Sequence, residues 1–442
     1  MAVSLAALTG IAAVSWVYHP ALMSPDSLGM YREALTGVIH GDRKMPLTAF
    51  LWMFILRVHE GPFPLLLFQN LIFWSGLALV VRCCALSPAW SATAVLAIGA
   101  VPPVFALLGT LWADVLLGAF LALFVGIALV GSNRGSRVLL VASLIPLWCG
   151  FAVRTNGLPA VVPLAVWWAA LWLGTARPAG LRAGRIAGLA LLLLVMMMGA
   201  TRLFVRAVVT GGTGASARGL QFSMFHDLAG ISVHSGTLHL PEYVHRAIPG
   251  FTLDTMRAVY DPADVNKFVY NPGWSIEMFT TTDPVNAREL RRTWWHAVRA
   301  HPGAYLRRRI DAIATGLQLR GVHYPFHAII DPNDLGLVHD RRPVTARVLA
   351  FHTATRELFF RGWLFLLASG TVVAVGWRRR RWSAVAVASS GICYVGPSVL
   401  ISAGADFRYI WWMVVATLVG ALLLWRDRGL PAPAAVGTEG IP

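Results

Sequence analysis

The chain has 442 residues, 57% of them hydrophobic and only 13% charged, with 18 Trp and a mean hydropathy of +0.62. Charged residues are about half as frequent as the roughly 25% of soluble domains, which excludes an ordinary soluble enzyme. Repeated apolar stretches of roughly 18 residues or more define an all-α polytopic membrane protein, and the period-two alternation of a membrane β-barrel is missing.

The net charge of +16 comes almost wholly from guanidinium, since Lys44 and Lys267 are the only lysines. The basic residues are scattered between apolar segments without a nucleic-acid motif, so their placement reads as topology and phosphate chemistry, not nucleic acid. Cys83, Cys84, Cys149 and Cys393 fall in or beside apolar segments without metal spacing or a disulfide framework.

Ten spans are expected, at residues 3 to 22, 63 to 81, 90 to 108, 111 to 130, 138 to 152, 158 to 174, 186 to 208, 360 to 376, 383 to 402 and 409 to 425. The first lacks a basic n-region and a clear cleavage site and reads as a retained helix. With the N-terminus inside, the short inner loops hold Arg82, Arg134, Arg137, Arg177, Arg182, Arg185, Arg378 to Arg381, Arg426 and Arg428. The short outer connections hold only Arg154 and Arg408, so both termini are expected to be cytoplasmic. Four regions follow: an N-terminal membrane region (1 to 208) with a first outer loop (23 to 62), an extracytoplasmic domain (209 to 359) between spans seven and eight, a C-terminal membrane region (360 to 428), and a flexible tail (429 to 442).

In the first outer loop, Leu28, Tyr31, Leu35 and Val38 recur at helical spacing and predict an interfacial helix with Ser27 as N-cap. Residues 46 to 58 predict a second helix, opened by Pro46 and too short to span. In the outer domain Pro302 opens a helix over 302 to 319, with Leu306, Ile310, Ile313 and Leu317 on one face. Arg307 to Arg309 near its start read as an anchor to anionic headgroups.

Polar residues recur at the outer ends of spans: Asp26, Asp114 in LWADVLL, Arg154 and Asn156 in VRTNG, and Asp406 with Arg408 in GADFRYIWW. A charge in a span costs about 2.5 to 3.5 kcal/mol at the helix centre and less near an end, so such residues face a partner or a polar cavity. One cavity with a carboxylate near an acceptor hydroxyl and cations near a leaving phosphate suits glycosyl transfer from a lipid-linked sugar phosphate. Phosphate leaves as a stable anion, so one carboxylate is enough where a glycosidase needs two.

In SPDSLGMY, MPLTAFLW, LWADVLL, RTNGLPA, HDLAGIS and DFRYIWW the chain resembles bacterial members of the GT-C superfamily, the membrane glycosyltransferases that use polyprenyl-phosphate sugars. The resemblance implies a GT-C-like bundle in the bacterial inner membrane with an extracytoplasmic active site. It implies a hexosyl- or pentosyltransferase that moves a sugar, with inversion, to a glycan, lipid or protein of the cell envelope. The family aspartate carries over to Asp26 as general base. Arg154, Arg408, Asp114, Asp406 and Asn156 are candidates for donor phosphate or sugar; Met45 stands where relatives often have His. No cofactor is called for, and GGTGASARG at 211 to 219 has no strand before it to make a phosphate loop.

Each residue also has a plainer role. Asp26 can extend a helix cap, Asp114 can be a buried partner of Arg154, and Arg408 can anchor the last span with Tyr409, Trp411 and Trp412 as its aromatic belt. Trp274, Trp294, His226 and Asp227 are weaker candidates on the acceptor side, since aromatic residues in a small domain mostly fill its core. His323, His327, Asp331, Asp334 and His339 match no standard metal spacing. The rival classes are a transporter or lipid flippase, which calls for inverted repeats and charges at mid-membrane, and a non-catalytic envelope scaffold.

Overall fold

The computed structural model describes residues 1–40, 46–154, 157–174, 179–210, 218–265, 267, 271, 273–274, 278–340, 342–401 and 404–426. Met45, Asn156, residues 211 to 217 of the glycine-rich run and the tail from 429 lie outside the described residues. Among those described there are helices and isolated β-bridges but no named strand.

A helix stands at each of the ten apolar stretches: α1 (Ala2–Tyr18), α4 (Phe63–Arg82), the broken pair α5 (Pro88–Ala100) and α6 (Pro102–Leu108), α7 (Ala113–Asn133), α8 (Arg137–Ala152), α9 (Leu158–Leu173), α10 (Ala179–Val208), α17 (Gly362–Arg378), α18 (Trp382–Ile401) and α19 (Trp411–Arg426). The first loop contributes α2 (Pro25–Thr36) and α3 (Leu47–Leu56). The long polar stretch adds α11 (Arg218–Ser235), α12 (Glu242–Ala247), α13 (Leu253–Val259), α14 (Pro284–Ala300), α15 (Pro302–Gly316) and α16 (Pro343–Phe359). Among the described residues three helices, α4, α7 and α10, are long and apolar enough to cross a membrane, or up to five spans if each of two bent pairs counts as one.

The first bend has a local cause. Val101 precedes Pro102, and a residue before proline is pushed out of the helical region; its ψ of 125° turns α6 by 70° from α5. A second bend, of 59°, separates α16 from α17, at the boundary expected between the outer stretch and the eighth span. Elsewhere starts are written in first-turn prolines and caps: Ser87 and Ser136 accept from the amides of Trp90 and Leu139, and Asp283 accepts from those of Val285 and Asn286.

Small residues let the central helices approach. A side chain on Gly76 of α4 would meet the backbone nitrogen of Leu123 in α7 at 2.5 Å, and one on Gly118 would strike the Trp411 ring at 2.4 Å. Ser390 of α18 donates to the Ala160 carbonyl at 2.6 Å and accepts from Trp412 at 2.9 Å, which fastens α9, α18 and α19 together.

Three expectations at and around the first loop are corrected. The first helix ends at Tyr18, and residues after it run extended: Leu22 exchanges backbone hydrogen bonds with Gly109 and Leu111, and Met23 with Ile329 and Asp331. The next helix begins at Pro25 with Ser24 as N-cap, so Ser27 lies inside it and donates to the Leu111 carbonyl at 2.8 Å. Proline holds φ ready for N1, which moves the start ahead of Ser27. Leu28 and Tyr31 are buried as expected, but Val38 lies past Gly37, whose φ of +70° ends the helix, and Leu35 is exposed.

The long polar stretch divides. Residues from α11 to α15 build their own core around Phe225, Leu228, Ile231, Val244, Met256 and Phe279, whereas Leu317, Phe326, Ile330 and Val348 join the core of the apolar helices. The expected apolar face of α15 is also corrected. Leu306 and Ile310 are exposed, Leu317 is buried, and the helix buries Arg308 instead.

Candidate active site

The bridges on either side of Met23 fix where α2 begins, and so where Asp26 stands. Trp112, two residues before Asp114, donates to Ser24 at 2.8 Å, so the start of α2 is tied to the start of α7. From the other end of the chain the 3-10 turn Phe407–Tyr409 brings Arg408 to the same point. Arg408 Nη1 donates to Asp26 Oδ2 at 2.8 Å, its Nη2 pairs with Asp406 Oδ2 at 2.9 Å, and its Nε lies 4.0 Å from Asp114 Oδ2. Arg154, just past α8, pairs through Nε with Asp114 Oδ1 at 3.0 Å. The four elements that meet are thus distant in sequence, and five of the six residues expected at the site come together; the sixth, Asn156, is outside the described residues.

Exposure separates the three carboxylates. Asp114 is wholly buried and also accepts from the Tyr394 hydroxyl, while the Asp26 side chain is 39% exposed and Asp406 28%. Asp26 occupies the first turn of α2, where the helix dipole favours a negative charge. Burial pushes the Asp406 carboxyl above the usual range, against the pull of Arg408 and with the help of Asp26 and Asp114 nearby. Aromatic faces enclose the cations: Arg408 lies 4.9 Å over Trp112 and 5.1 Å over Tyr409, and Arg154 lies 5.5 Å over Tyr409. Three carboxylates against two guanidiniums give this cluster no surplus of positive charge.

Sequence reading missed Tyr394, Ser24 and His327. A lone tyrosine in an apolar span was a usable signal for Tyr394, because a buried hydroxyl needs a partner. His327 contacts the Met23 carbonyl at 3.1 Å and lies 3.6 Å from Asp331; burial lowers its pKa. In sequence it stands out only among His and Asp residues without metal spacing, because the chain fold alone sets it beside α2. Along the neighbouring face of α2, Pro25, Leu28, Gly29 and Arg32 border an open cleft of about 720 Å³ with Pro332 and Asp334, and Arg32 pairs with Asp334.

The four acceptor-side candidates sit elsewhere. Trp274 packs in the outer core, 5.2 Å from Phe251 and 6.2 Å from Phe279. His226, Asp227 and Trp294 form a second buried cluster with Arg308 and Arg309. This overturns the headgroup anchor expected of these two arginines: Arg309 pairs with Asp227, and Arg308, only 1% exposed, donates to the His226 carbonyl and to its Nδ1 at 3.3 and 2.9 Å. Trp294 donates to Asp227 at 3.0 Å. Gly230 of HDLAG leaves room for the Arg308 stem, which a side chain there would meet at 2.4 Å.

His226 donates through Nε2 to the Asp261 carbonyl at 2.8 Å, which leaves Nδ1 to accept from Arg308. Burial and this guanidinium push its pKa down to about 3. An unfolded imidazole takes a proton near 6.5, so unfolding below that pH takes up a proton. The stabilisation is whole above about pH 6.5 and is lost as pH falls toward 3. Wild type is expected to lose about 2 kcal/mol more than His226→Gln between pH 6.5 and 5, read from thermal unfolding of both proteins. Equal losses would mean that His226 is not held neutral. Asp227, raised by burial against Arg309 and Arg308, acts in the opposite sense in both proteins.

Comparison of the chain with protein-family models, curated proteins and solved structures finds no match.

Proposed function

We propose that the protein is a GT-C-type glycosyltransferase of the bacterial inner membrane, which transfers a sugar from a polyprenyl phosphate to a cell-envelope acceptor on the outer face. The observation that carries this reading is the meeting of Asp26, Asp114, Arg154, Asp406 and Arg408 at one point, with Asp26 the most exposed of the three carboxylates. In this reading ten helices span the bilayer with both termini inside, the donor's tail lies between spans, and residues 209 to 359 lie outside.

The acceptor oxygen attacks the anomeric carbon from the face opposite the phosphate, the bond from carbon to phosphate oxygen breaks, and the configuration inverts. Asp26 takes the acceptor's proton. Arg408 holds Asp26 and Asp406, so to bind phosphate it exchanges one carboxylate for a phosphate oxygen. Exchange of Asp26 leaves that carboxylate more basic, because a guanidinium pair favours the ionised form. Asp114, engaged by Arg154 and Tyr394, keeps the guanidinium of Arg154 in place.

Transfer from radiolabelled polyprenyl-phosphate sugar by the purified protein tests the reading; no transfer to any envelope acceptor fraction would count against it. Arg154→Lys and Arg408→Lys keep the charge but lose the fork, and each is expected to raise the donor KM about 10- to 100-fold with the fold retained. Unchanged donor KM in both variants would remove the arginines from phosphate binding. For topology, Val338→Cys is expected to react with an impermeant thiol reagent in sealed cells and Arg380→Cys not, with the four native cysteines replaced. Labelling at 380 would reverse the orientation and remove the outer-face site.

The transporter reading draws on the two bent pairs, since interrupted helices line many transport sites. The second bend falls between the outer stretch and α17 and not within an expected span, and the charged cluster gathers at helix ends. Both features favour the transferase.

A further inference from the structure

Helix α14 has two unlike faces. Leu290 and Ala297 are buried in the outer core, while Arg288, Arg291, Arg292, Trp295, His296 and Arg299 are all exposed. Their spacing of 3, 4, 7, 8 and 11 residues from Arg288 places them in one stripe along about 16 Å of helix. Among the described residues no carboxylate forms an ion pair with any of these four arginines. The one acid of the helix, Glu289, is turned aside to accept from the Glu242 amide. Arg299 lies 4.7 Å over the exposed Trp295 ring. Four like charges on one helix face repel one another, and an anionic surface would turn that repulsion into attraction.

The position of the stripe selects the surface. His301 alone joins α14 to α15, whose exposed Leu306, Arg307 and Ile310 continue the basic and apolar character. Arg309 fastens α15 to the Leu400 carbonyl in the last turn of α18, at 2.6 Å, and Gln318 donates to the Ala405 carbonyl at 2.8 Å. The hairpin therefore hangs at the end of an apolar helix that we read as a span. Arginine, an exposed tryptophan and exposed aliphatic residues are the composition of a helix that lies against headgroups. We infer that the α14 stripe docks on the anionic phospholipid headgroups of the membrane that holds the protein. The inference rests on the membrane reading and not on the transferase chemistry, so loss of either leaves the other to be judged by its own experiment.

The test uses the full chain in nanodiscs, with a spin label at His296→Cys, the native cysteines replaced, and a small fraction of lipid that carries a nickel chelate on its headgroup. In discs of phosphatidylcholine with phosphatidylglycerol the nickel is expected to relax the label strongly. In phosphatidylcholine alone the relaxation is expected to be weak, and high salt should weaken it in the anionic discs, because exposed charges are screened. Substitution of all four stripe arginines by Gln should abolish the difference between the two lipids. Should that variant fail to fold, the salt series on the otherwise unaltered chain still decides. A label that headgroup nickel leaves unrelaxed in both discs would overturn the proposal and direct attention to a soluble polyanion; relaxation indifferent to lipid charge and to salt would overturn it as well.

Discussion

Asp26→Asn is expected to lower sugar transfer by about 10² to 10⁴-fold while donor binding and thermal stability change little. An acceptor hydroxyl is a weak nucleophile at neutral pH, and in the proposed reaction Asp26 is the group that takes its proton. Asparagine keeps the size of the side chain at the first turn of α2, but it cannot accept the proton. It also still offers an oxygen to Arg408, so the guanidinium stays placed. The comparison with Asp114→Asn is decisive. If Asp26→Asn kept full turnover while Asp114→Asn lost it, the base would be Asp114, despite its burial and its three partners. If both stayed active, a carboxylate-base mechanism would have to be dropped; a loss of stability equal to the loss of turnover would leave Asp26 a structural partner of Arg408 only.

The second large effect is structural. Asp114→Leu is expected to cost about 3 to 5 kcal/mol, because it removes the fully buried carboxylate between two guanidiniums and leaves them to face each other. Arg154 pairs with it at 3.0 Å, and Tyr394 donates to the same oxygen. Leucine fills the volume but answers none of these donors, and the unmet donors carry the cost. A double-mutant cycle with Arg154→Leu isolates the pair: removal of the cation as well should recover part of the loss. If Asp114→Leu unfolded at the wild-type temperature, the charged cluster would not be what joins α7 to the end of α8. The two predictions separate roles within one cluster, since the exposed carboxylate is assigned to chemistry and the buried one to its support.

Hydropathy was enough to locate helices at all ten apolar stretches, because burial in a bilayer or among other helices demands the same run of apolar residues. It set several ends wrongly. The N-cap of α2 moved from Ser27 to Ser24, and α1 stopped at Tyr18, because the chain after Tyr18 pairs with backbone near residues 109 and 330 that no local pattern announces. Asp26, Asp114, Arg154, Asp406 and Arg408 were legible one by one as charges at the ends of apolar runs, where a charge needs a reason. That they form one cluster around Arg408 was decided by the tertiary structure, which brings positions up to 382 residues apart within hydrogen-bond reach. The same reason explains the clearest miss. Arg308 and Arg309 look in sequence like a basic surface, and HDLAG like a weak motif of its own. Only the packing of α11 on α15 shows that each supplies the other's buried partner, because a charge can be taken from water only where its counter-charge is already waiting.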